Sequence, residues 1–507
     1  MFRLPAFLLA AALTPAFSEP PSFQLDEATI ASIHAAMRAG KLTAANLVAM
    51  YLRRIEAYDK NGPALNAVIL INPEVERRAA ELDAKFAVSG FTGPLHGIPV
   101  LLKDNVETAD MPTTAGSRSL EGFAPSDDAF LVKRLREAGA LILAKVNLTE
   151  FAATGITRSS ILGQTLNPYD LTRTPGGSSG GTGAGLAANF GTVGIGTDTV
   201  NSIRSPSSAN SLVGIRPTRG LVSRAGVVPY SHTQDMAGPL ARSVTDAAKV
   251  LEVIAGYDPE DPTTAWSLDK TPRFSFFLDS NGLKGARLGV LASFLGAGPE
   301  HEEVNAVMET ALQALRDAGA HLVTLEDRID ADELISDVSV GLYELDLDLS
   351  AYLAERRAPV ESLSEILASG KYEPVLKNTY ERALSLDTNS LEYRSRLLER
   401  HALRDRLMAI MADQRLDAIV YPHQKRLVVP IGEDQVDRNG VLASVTGFPA
   451  ITVPAGFSPP TDSAPIGVPV GIEFLGRPWS EGELLRIAYA FEQATHFRRP
   501  PRSTPPL

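Results

Sequence analysis

The chain has 507 residues, of which 44% are apolar and 21% are charged, a composition typical of a globular protein and not of a fibrous or wholly disordered one. Its formal net charge of −12 means that the surface as a whole repels a phosphate backbone, so nucleic acid is not expected as a ligand. The absence of cysteine excludes disulfides, thiolate metal sites and a thiol nucleophile.

The first eighteen residues, MFRLPAFLLAAALTPAFS, predict a secretory signal peptide at 1–18. Arg3 precedes an apolar stretch, and the small residues Ala16 and Ser18 stand where a signal peptidase would cleave. An N-terminal helix of the fold is the alternative interpretation. The segment is too short to span a bilayer comfortably, so we expect a periplasmic or secreted protein with no membrane attachment after cleavage.

Short apolar runs alternate with helical periodicities along the following chain. Helices are predicted at 44–58, 130–138 and 301–319. Buried strands are predicted at AVILI (67–71), GIPVLL (97–102), ALILAKV (140–146), LGVLAS (288–293), HLVTL (321–325), LDAIVYP (416–422), AITVP (450–454) and PVGIEFL (469–475). Strands buried on both faces and separated by helices indicate an α/β fold with a mostly parallel or mixed central sheet.

The pattern favours a single domain over residues 19–498. Within it, residues from about 331 to 414 have charged helical faces and few strand signals, which predicts a mostly helical insertion. The tail at 499–507 is rich in proline, and we expect it to be loosely held.

The segment TPGGSSGGTGAG at 174–185 is the densest anomaly in the sequence. So many glycines lose much backbone entropy on folding, so their benefit must be close backbone approach or unusual dihedrals. Residues 176–180 match the nucleophile elbow G-x-S-x-G, and residues 183–188 match the dinucleotide fingerprint G-x-G-x-x-A. Both motifs need a buried strand before them, whereas NPYDLTRTP is a polar loop. A flexible linker is also disfavoured, since the apolar LAANFGTVGIG follows at once.

The fuller pattern joins GGSSGG at 176–181 to GTDTVNSIRSP at 196–206 and to GIPVLLKDN at 97–105. In these segments the chain resembles the amidase signature family, and the likeness extends from about residue 25 to about 498. It is greatest to bacterial and fungal amidases and peptide amidases. The resemblance implies the amidase signature fold, in which helices flank a large mixed sheet on both faces.

The resemblance also implies a Ser–Ser–Lys triad: Lys103 as the base, Ser178 as a bridging serine after a cis peptide bond, and Ser202 as the nucleophile. A serine hydroxyl needs a base to remove its proton, and lysine can serve once burial lowers its pKa from near 10.4 to about 7–8. Lys145 ends an apolar run just as Lys103 does, so the chemistry alone leaves both open. The family pattern favours Lys103.

Backbone N–H groups of Thr199, Val200, Asn201 and Ser202 are expected to hold the oxyanion of the reaction. The family usually carries glycines where this chain has Val200 and Asn201. Valine tolerates a positive φ poorly, so we expect the turn to differ in detail and the acyl site to be reshaped.

Asp198 and Arg204 flank this turn, and we interpret them as a structural ion pair that supports the loop. His232 and Asp235 lie in a segment shared with the family, where pocket lining and loop packing are equally plausible roles. The histidines show no metal-binding spacing, so no metal is expected.

These observations predict a hydrolase that cleaves linear carboxamides through an acyl-enzyme on Ser202, with possible ester or carbamate cleavage. No cofactor is implied, a small-molecule amide is the expected partner, and the protein is expected as a monomer or homodimer. Two other interpretations remain: an amidotransferase-type protein that acts with a partner protein, and a catalytically silent amide-binding protein.

Overall fold

A computed structural model describes residues 23–507. The predicted signal peptide at 1–18 therefore lies outside the described residues. In the part of the chain that the structure describes, no helix is both long enough and apolar enough to cross a membrane.

The predicted α/β class with a large mixed sheet is confirmed, since one sheet contains eleven strands in the order β1-β3-β2-β6-β8-β7-β12-β13-β11-β9-β10. A separate hairpin pairs β4 with β5. The strands are β1 (Val68–Ile71), β2 (Pro99–Lys103), β3 (Leu141–Val146), β4 (Arg158–Ser159), β5 (Gly163–Gln164), β6 (Val193–Asp198), β7 (Val213–Arg216), β8 (Met236–Ala241), β9 (Arg287–Leu291), β10 (His321–Leu325), β11 (Ala418–Pro422), β12 (Ala450–Phe457) and β13 (Pro469–Leu475).

Helices follow and flank the strands, among them α5 against β2, α7 against β8, and α8 and α15 against β12. The α-helices are α1 (Ile30–Arg38), α2 (Ala44–Ile55), α3 (Val75–Ser89), α4 (Phe130–Glu137), α5 (Gly180–Ala187), α6 (Arg204–Ala209), α7 (Val244–Ile254), α8 (Glu302–Asp317), α9 (Ala331–Glu333), α10 (Gly341–Glu355), α11 (Leu363–Ser369), α12 (Lys377–Ser385), α13 (Leu391–Asp413), α14 (Val441–Thr446) and α15 (Glu481–Thr495).

Three strands that the sequence did not predict, β6, β7 and β8, lie next to each other in the middle of the sheet. Their sequences are VGIGTD, VGIR and MAGPLA, in which glycine or proline interrupts the apolar run. The glycines of these strands allow close packing. A Cβ on Gly196 would stand 2.8 Å from Ser179 Oγ, so this glycine lets the 176–181 loop approach the sheet.

Strands β2 and β3 are parallel neighbours in which every residue is buried, as expected for strands covered on both faces. Their register pairs Lys103 with Val146 and Leu102 with Lys145. Because successive side chains of a strand point to opposite faces, this offset of one residue sends the two lysines to opposite sides of the sheet.

Helices α10 to α12 form an apolar cluster of their own, which also includes Phe151, Val228 and Tyr230 from loops beside the sheet. This cluster holds the helical segment against those loops and contributes residues to the lining of the cavity described below.

The C-terminal tail is held more firmly than the sequence predicts. Arg54 on α2 donates from Nη2 to the carbonyl of Thr504 at 2.5 Å and from Nη1 to that of Pro505 at 3.0 Å. Tyr58 donates to the same Pro505 carbonyl at 2.9 Å. The expectation of a loose tail is wrong because proline-rich backbone still offers carbonyl acceptors to a buried guanidinium.

Candidate active site

The Lys103 side chain at the end of β2 is completely buried, and its amine contacts hydroxyl and carbonyl oxygens. Its Nζ lies 2.7 Å from Ser178 Oγ, 2.7 Å from Thr197 Oγ1 and 3.4 Å from the Thr197 carbonyl oxygen. Burial lowers the pKa of Lys103 from 10.5 to about 7, although Asp198 and Asp235 oppose the shift. A neutral amine is therefore well populated near neutral pH.

The competing Lys145 is also completely buried, but it makes a different set of contacts. Its Nζ donates to the Val106 carbonyl at 2.7 Å, to Thr113 Oγ1 at 2.9 Å and to Asp104 Oδ1 at 3.3 Å. All of its donors are engaged, one of them with a carboxylate, and no serine of the glycine-rich loop is among its partners. Of the two lysines, Lys103 is the one whose amine contacts a serine of the glycine-rich loop.

Ser178 is held in the glycine-rich loop, directly after a cis peptide bond between Gly177 and Ser178. A Cβ on Gly177 would lie 2.7 Å from the Gly155 carbonyl carbon, so the loop requires glycine for close backbone approach. The loop leads from a turn into α5, and no strand of the described chain immediately precedes it. This arrangement excludes the nucleophile elbow and the dinucleotide fingerprint, both of which need that strand.

Ser202 lies in the turn between β6 and α6, beside the glycine-rich loop. Its carbonyl accepts a hydrogen bond from the Ser179 backbone N–H at 3.2 Å. Ser202 lines a cavity, and within residues 23–507 its hydroxyl makes no hydrogen bond. The structure thus brings Lys103 and Ser178 into direct contact and joins Ser202 to their loop through the backbone, without a hydroxyl-to-hydroxyl hydrogen bond.

In the turn at 199–202, three residues are buried and Val200 is partly buried, yet the backbone donors of all four are free within the described chain. None of their four N–H groups donates a hydrogen bond to another described residue, although buried N–H groups are nearly always paired. All four residues line the same cavity as Ser202. The turn therefore has the donors needed to hold an anionic oxygen near the Ser202 hydroxyl.

The replacement of the family's glycines does not strain this turn. Neither Val200 nor Asn201 is among the residues with positive φ, so a β-branched side chain is accommodated without cost to the backbone. Val200 instead packs its side chain against an apolar cluster, and Asn201 is buried with its Nδ2 unpartnered among the described residues. The change adds side-chain bulk beside the cavity while the backbone donors remain.

Asp198 and Arg204 form the ion pair expected from the sequence, within a larger buried network. Arg204 Nε lies 3.1 Å from Asp198 Oδ2, Arg216 Nη1 lies 2.8 Å from Asp198 Oδ1, and Arg204 also binds Glu473. Burial alone would raise the pKa of Asp198, but the two arginines hold it well below its usual range. Asp198 Oδ2 also accepts the Ile203 backbone N–H at 3.0 Å, which fixes the turn.

Asp235 and His232 serve packing in this structure, and neither lines the cavity. Asp235 accepts hydrogen bonds from the Thr199 hydroxyl at 2.5 Å and from the Tyr230 backbone N–H at 2.7 Å. His232 is exposed and pairs with Asp348 on α10 at 3.0 Å. Asp235 thus holds the turn that contains Ser202, and His232 links its loop to the helical segment.

The cavity beside Ser202 has a volume of about 630 Å³. One wall is the turn at 199–202 with residues 152–156. The rest of the lining comes from α10, α12 and α13 and from the loop at 434–438. A space of this size holds a small-molecule ligand.

The sequence did not predict Thr197 or Asn105, which the structure places at Lys103. Asn105 Nδ2 donates to Thr197 Oγ1 at 3.1 Å, and this hydroxyl in turn contacts Lys103 Nζ. Both residues stand within segments already quoted for the resemblance, Asn105 two positions after Lys103 and Thr197 one before Asp198. In the sequence, only their nearness to Lys103 and Asp198 could have indicated that they belong to the site.

The chain is similar along most of its length to proteins of one family. A family model described as Amidase matches residues 46–485. The crystal structure of native peptide amidase from Stenotrophomonas maltophilia is 39% identical, covers 95% of this chain and 99% of its own, and has a TM-score of 0.87.

Two curated relatives match with similar coverage. A probable amidase of Arabidopsis thaliana is 36% identical over 95% of this chain and 92% of its own length. A glutamyl-tRNA(Gln) amidotransferase subunit of Thermoanaerobacter pseudethanolicus is 33% identical over 95% of this chain and 99% of its own.

Proposed function

The chain belongs to the amidase signature family of hydrolases, and from that premise we propose that it acts by itself to hydrolyse linear carboxamides through an acyl-enzyme on Ser202. Peptide amides are the first substrates to test, because a peptide amidase shares its fold at 39% identity. Esters and carbamates are further candidates, since an acyl-enzyme can form with either nitrogen or oxygen as the leaving atom.

The observation that carries this proposal is the set of contacts around Lys103. A neutral amine has two N–H groups and one lone pair. The two oxygens of Thr197 lie at 2.7 Å and 3.4 Å and can accept the N–H groups. The lone pair is then free for the hydroxyl of Ser178 at 2.7 Å. These contacts support the proposed role of Lys103 as a base, since its amine has oxygen partners but, among the described residues, no carboxylate in hydrogen-bonding contact.

In the proposed reaction Ser202 attacks the amide carbonyl while its proton passes to Ser178 and that of Ser178 passes to Lys103. The backbone N–H groups of residues 199–202 stabilise the negative charge that develops on the carbonyl oxygen. The lysine ammonium then returns a proton, by way of Ser178, to the departing nitrogen. Water hydrolyses the acyl-enzyme by the same transfers in reverse.

Labelling with a fluorophosphonate, combined with assays on peptide amides, tests this proposal. We expect wild-type protein to be labelled at Ser202 and to release ammonia from peptide amides, and Ser202→Ala to do neither. A matched control is Ser280→Ala, which removes an exposed serine remote in sequence from the site and should change neither result. Wild-type protein that is neither labelled nor active would instead support the catalytically silent binding protein.

A second candidate is an amidotransferase component, which the 33% identity to a glutamyl-tRNA(Gln) amidotransferase subunit favours. Such a protein would act with partner proteins. Co-purification from the native host distinguishes the two functions: a stable partner and glutamine-dependent amide transfer support the second, whereas full peptide-amide turnover by the isolated chain supports the first.

We further propose that the protein is exported, on the basis of the signal pattern at 1–18. N-terminal sequencing of protein purified from the native host would show a start after residue 18. A start at Met1 in a cytoplasmic fraction would contradict export.

A further inference from the structure

The cavity beside Ser202 has a charge that contrasts with that of the whole chain. The chain carries a net charge of −12, yet three arginines and one aspartate line the cavity. These residues are Arg382, Arg396, Arg438 and Asp434. A cationic cavity in an acidic protein attracts anionic ligands to the site.

Arg438 is a cavity arginine with a partly buried side chain and no ion-pair partner among the described residues. Its guanidinium forms no hydrogen bond or ion pair with residues 23–507, and its Nε is buried without a partner. Arg396, in contrast, lies 2.8 Å from Glu392, donates to the Ser339 carbonyl at 2.9 Å and stacks on Tyr343. The Arg382 guanidinium likewise has no hydrogen bond or ion pair within residues 23–507, but its side chain is exposed, whereas that of Arg438 is partly buried. Arg438 therefore presents unused donors to the space beside Ser202.

The loop around Arg438 is held in place on both sides. Asp437 adopts a left-handed φ of +57°, and its carboxylate lies 2.6 Å from Arg426 Nε and 3.4 Å from His301 Nε2. The adjacent carboxylate is thus engaged elsewhere and is not available to neutralise Arg438. Asn439 anchors the next position by donating to the carbonyls of Phe294 and Pro422, both at 2.9 Å.

We propose that Arg438 binds a carboxylate on the acyl part of the substrate, so that the preferred substrates are amides that carry a second, anionic group. Guanidinium presents a planar fork of donors that matches a carboxylate, and such charge-assisted pairs are stronger than neutral hydrogen bonds. Burial of Nε reduces competition from water. This inference rests on the proposed amide hydrolysis and names the substrate class of the same cavity.

The test compares primary amides of short peptides that differ only in Glu or Gln one to three residues before the terminal amide. Ammonia is the leaving group in every case, so the charge lies on the acyl part. We expect wild-type kcat/KM to be at least tenfold higher for the best Glu peptide than for its Gln partner. In Arg438→Gln this preference should disappear through a rise of about 10–100-fold in KM for Glu peptides, with Gln peptides unaffected.

Arg404→Gln on α13 is the control, since it removes the same charge from an exposed position outside the cavity. It should retain the Glu preference, and Arg438→Lys should retain part of it. Thermal unfolding of each variant reports whether the fold is intact. An equal loss for Glu and Gln peptides in Arg438→Gln, or the same selective loss in Arg382→Gln, would overturn a specific contact at Arg438.

The outcomes for wild-type protein separate the two proposals. Turnover of neutral amides without any preference for Glu peptides would overturn only the role of Arg438. No turnover of either series would overturn the proposed amide hydrolysis, and the inference would fall with it.

Discussion

Two lysines near the ends of β2 and β3 are equally buried but have different contacts. Lys103 and Lys145 lie in parallel neighbouring strands, and both side chains are completely buried. The register offset of one residue sends them to opposite faces of the sheet. On one face the Lys103 amine contacts Ser178 and Thr197. On the other face the Lys145 amine contacts Asp104, Thr113 and a backbone carbonyl.

The difference shows that burial alone does not make a base. Burial lowers the pKa of both lysines. At Lys145 the carboxylate of Asp104 opposes that shift from 3.3 Å, whereas the carboxylates that oppose it at Lys103 make no hydrogen bond with its amine. Lys145 is one half of an ion pair, whereas the Lys103 amine has no carboxylate in hydrogen-bonding contact in the part of the chain that the structure describes, as its proposed role as a base requires.

The largest expected effect is a loss of kcat when Lys103 is replaced and Lys145 is not. Lys103→Met removes the proposed base, so kcat should fall by about 10³–10⁴-fold, within the range for loss of a general base, while urea unfolding shows a folded protein. Lys145→Met is the matched variant at the other strand and should retain most of the activity of its folded fraction. Equal losses of kcat in both folded variants would contradict the distinction between the two lysines.

In stability the order of the two variants should be reversed, with Lys145→Met the more strongly destabilised. Lys145→Met leaves the buried Asp104 without its cation, and removal of one partner from a buried pair costs about 3–5 kcal/mol. Lys103→Met leaves no carboxylate without a hydrogen-bonding cation and removes an amine that burial penalises. Chemical denaturation at pH 7 measures both. A Lys103 variant that is destabilised more than the Lys145 variant would show that Lys103 is mainly structural.

A pH series sharpens the comparison further. Because protonated Lys103 cannot accept a proton, kcat/KM for a neutral amide should fall about tenfold per pH unit below about 7. Lys145→Met should keep this profile, after correction for its folded fraction. A rate that is independent of pH between 5 and 7 would exclude Lys103 as the base.

The pKa of Lys103 also sets a pH dependence of stability. It is about 7 in the folded protein and 10.5 as the ordinary value, so between these values the unfolded chain binds more protons. Stability should therefore rise with pH from 7 to 10.5 in wild type, and this contribution should be absent in Lys103→Met. Urea unfolding of both proteins across this range isolates the contribution of Lys103.

The sequence predicted the outer parts of the sheet better than its centre. Strands such as β3 and β13 are continuous apolar runs, which directly indicate burial on both faces. The central strands β6 to β8 contain glycines or a proline, because the glycine-rich loop and α6 pack too closely for side chains. Local periodicity cannot show that requirement, since it arises from contacts between segments distant in sequence.

The candidate site divides in the same way. Lys103, Ser178 and Ser202 could be named because GIPVLLKDN, GGSSGG and GTDTVNSIRSP together carry a family resemblance. The partners that distinguish the two lysines could not be derived, because Thr197 and Asp104 meet them only through the strand register. The lack of a partner for the Arg438 guanidinium among the described residues likewise could not be predicted, because it depends on contacts that engage its neighbours Asp437 and Asn439 elsewhere.

The smallest expected effect comes from the two threonines that contact the lysines. Thr197→Val removes the hydroxyl 2.7 Å from Lys103 Nζ, so the amine loses one of the contacts that direct its lone pair to Ser178. We expect kcat to fall about tenfold, the equivalent of about one hydrogen bond, and Thr197→Ser to restore it. Thr113→Val removes the hydroxyl 2.9 Å from Lys145 and should cost about 1–3 kcal/mol of stability without a change in kcat.

This pair tests orientation separately from charge, because neither substitution alters a titratable group. If Thr197→Val lowered stability but left kcat unchanged, the contact between Thr197 and Lys103 would be structural, as it is for Thr113. The lone pair of Lys103 would then need another means of orientation. The contrast between the strand ends would rest on the presence of Asp104 alone, and the hydroxyl partners would have no part in it.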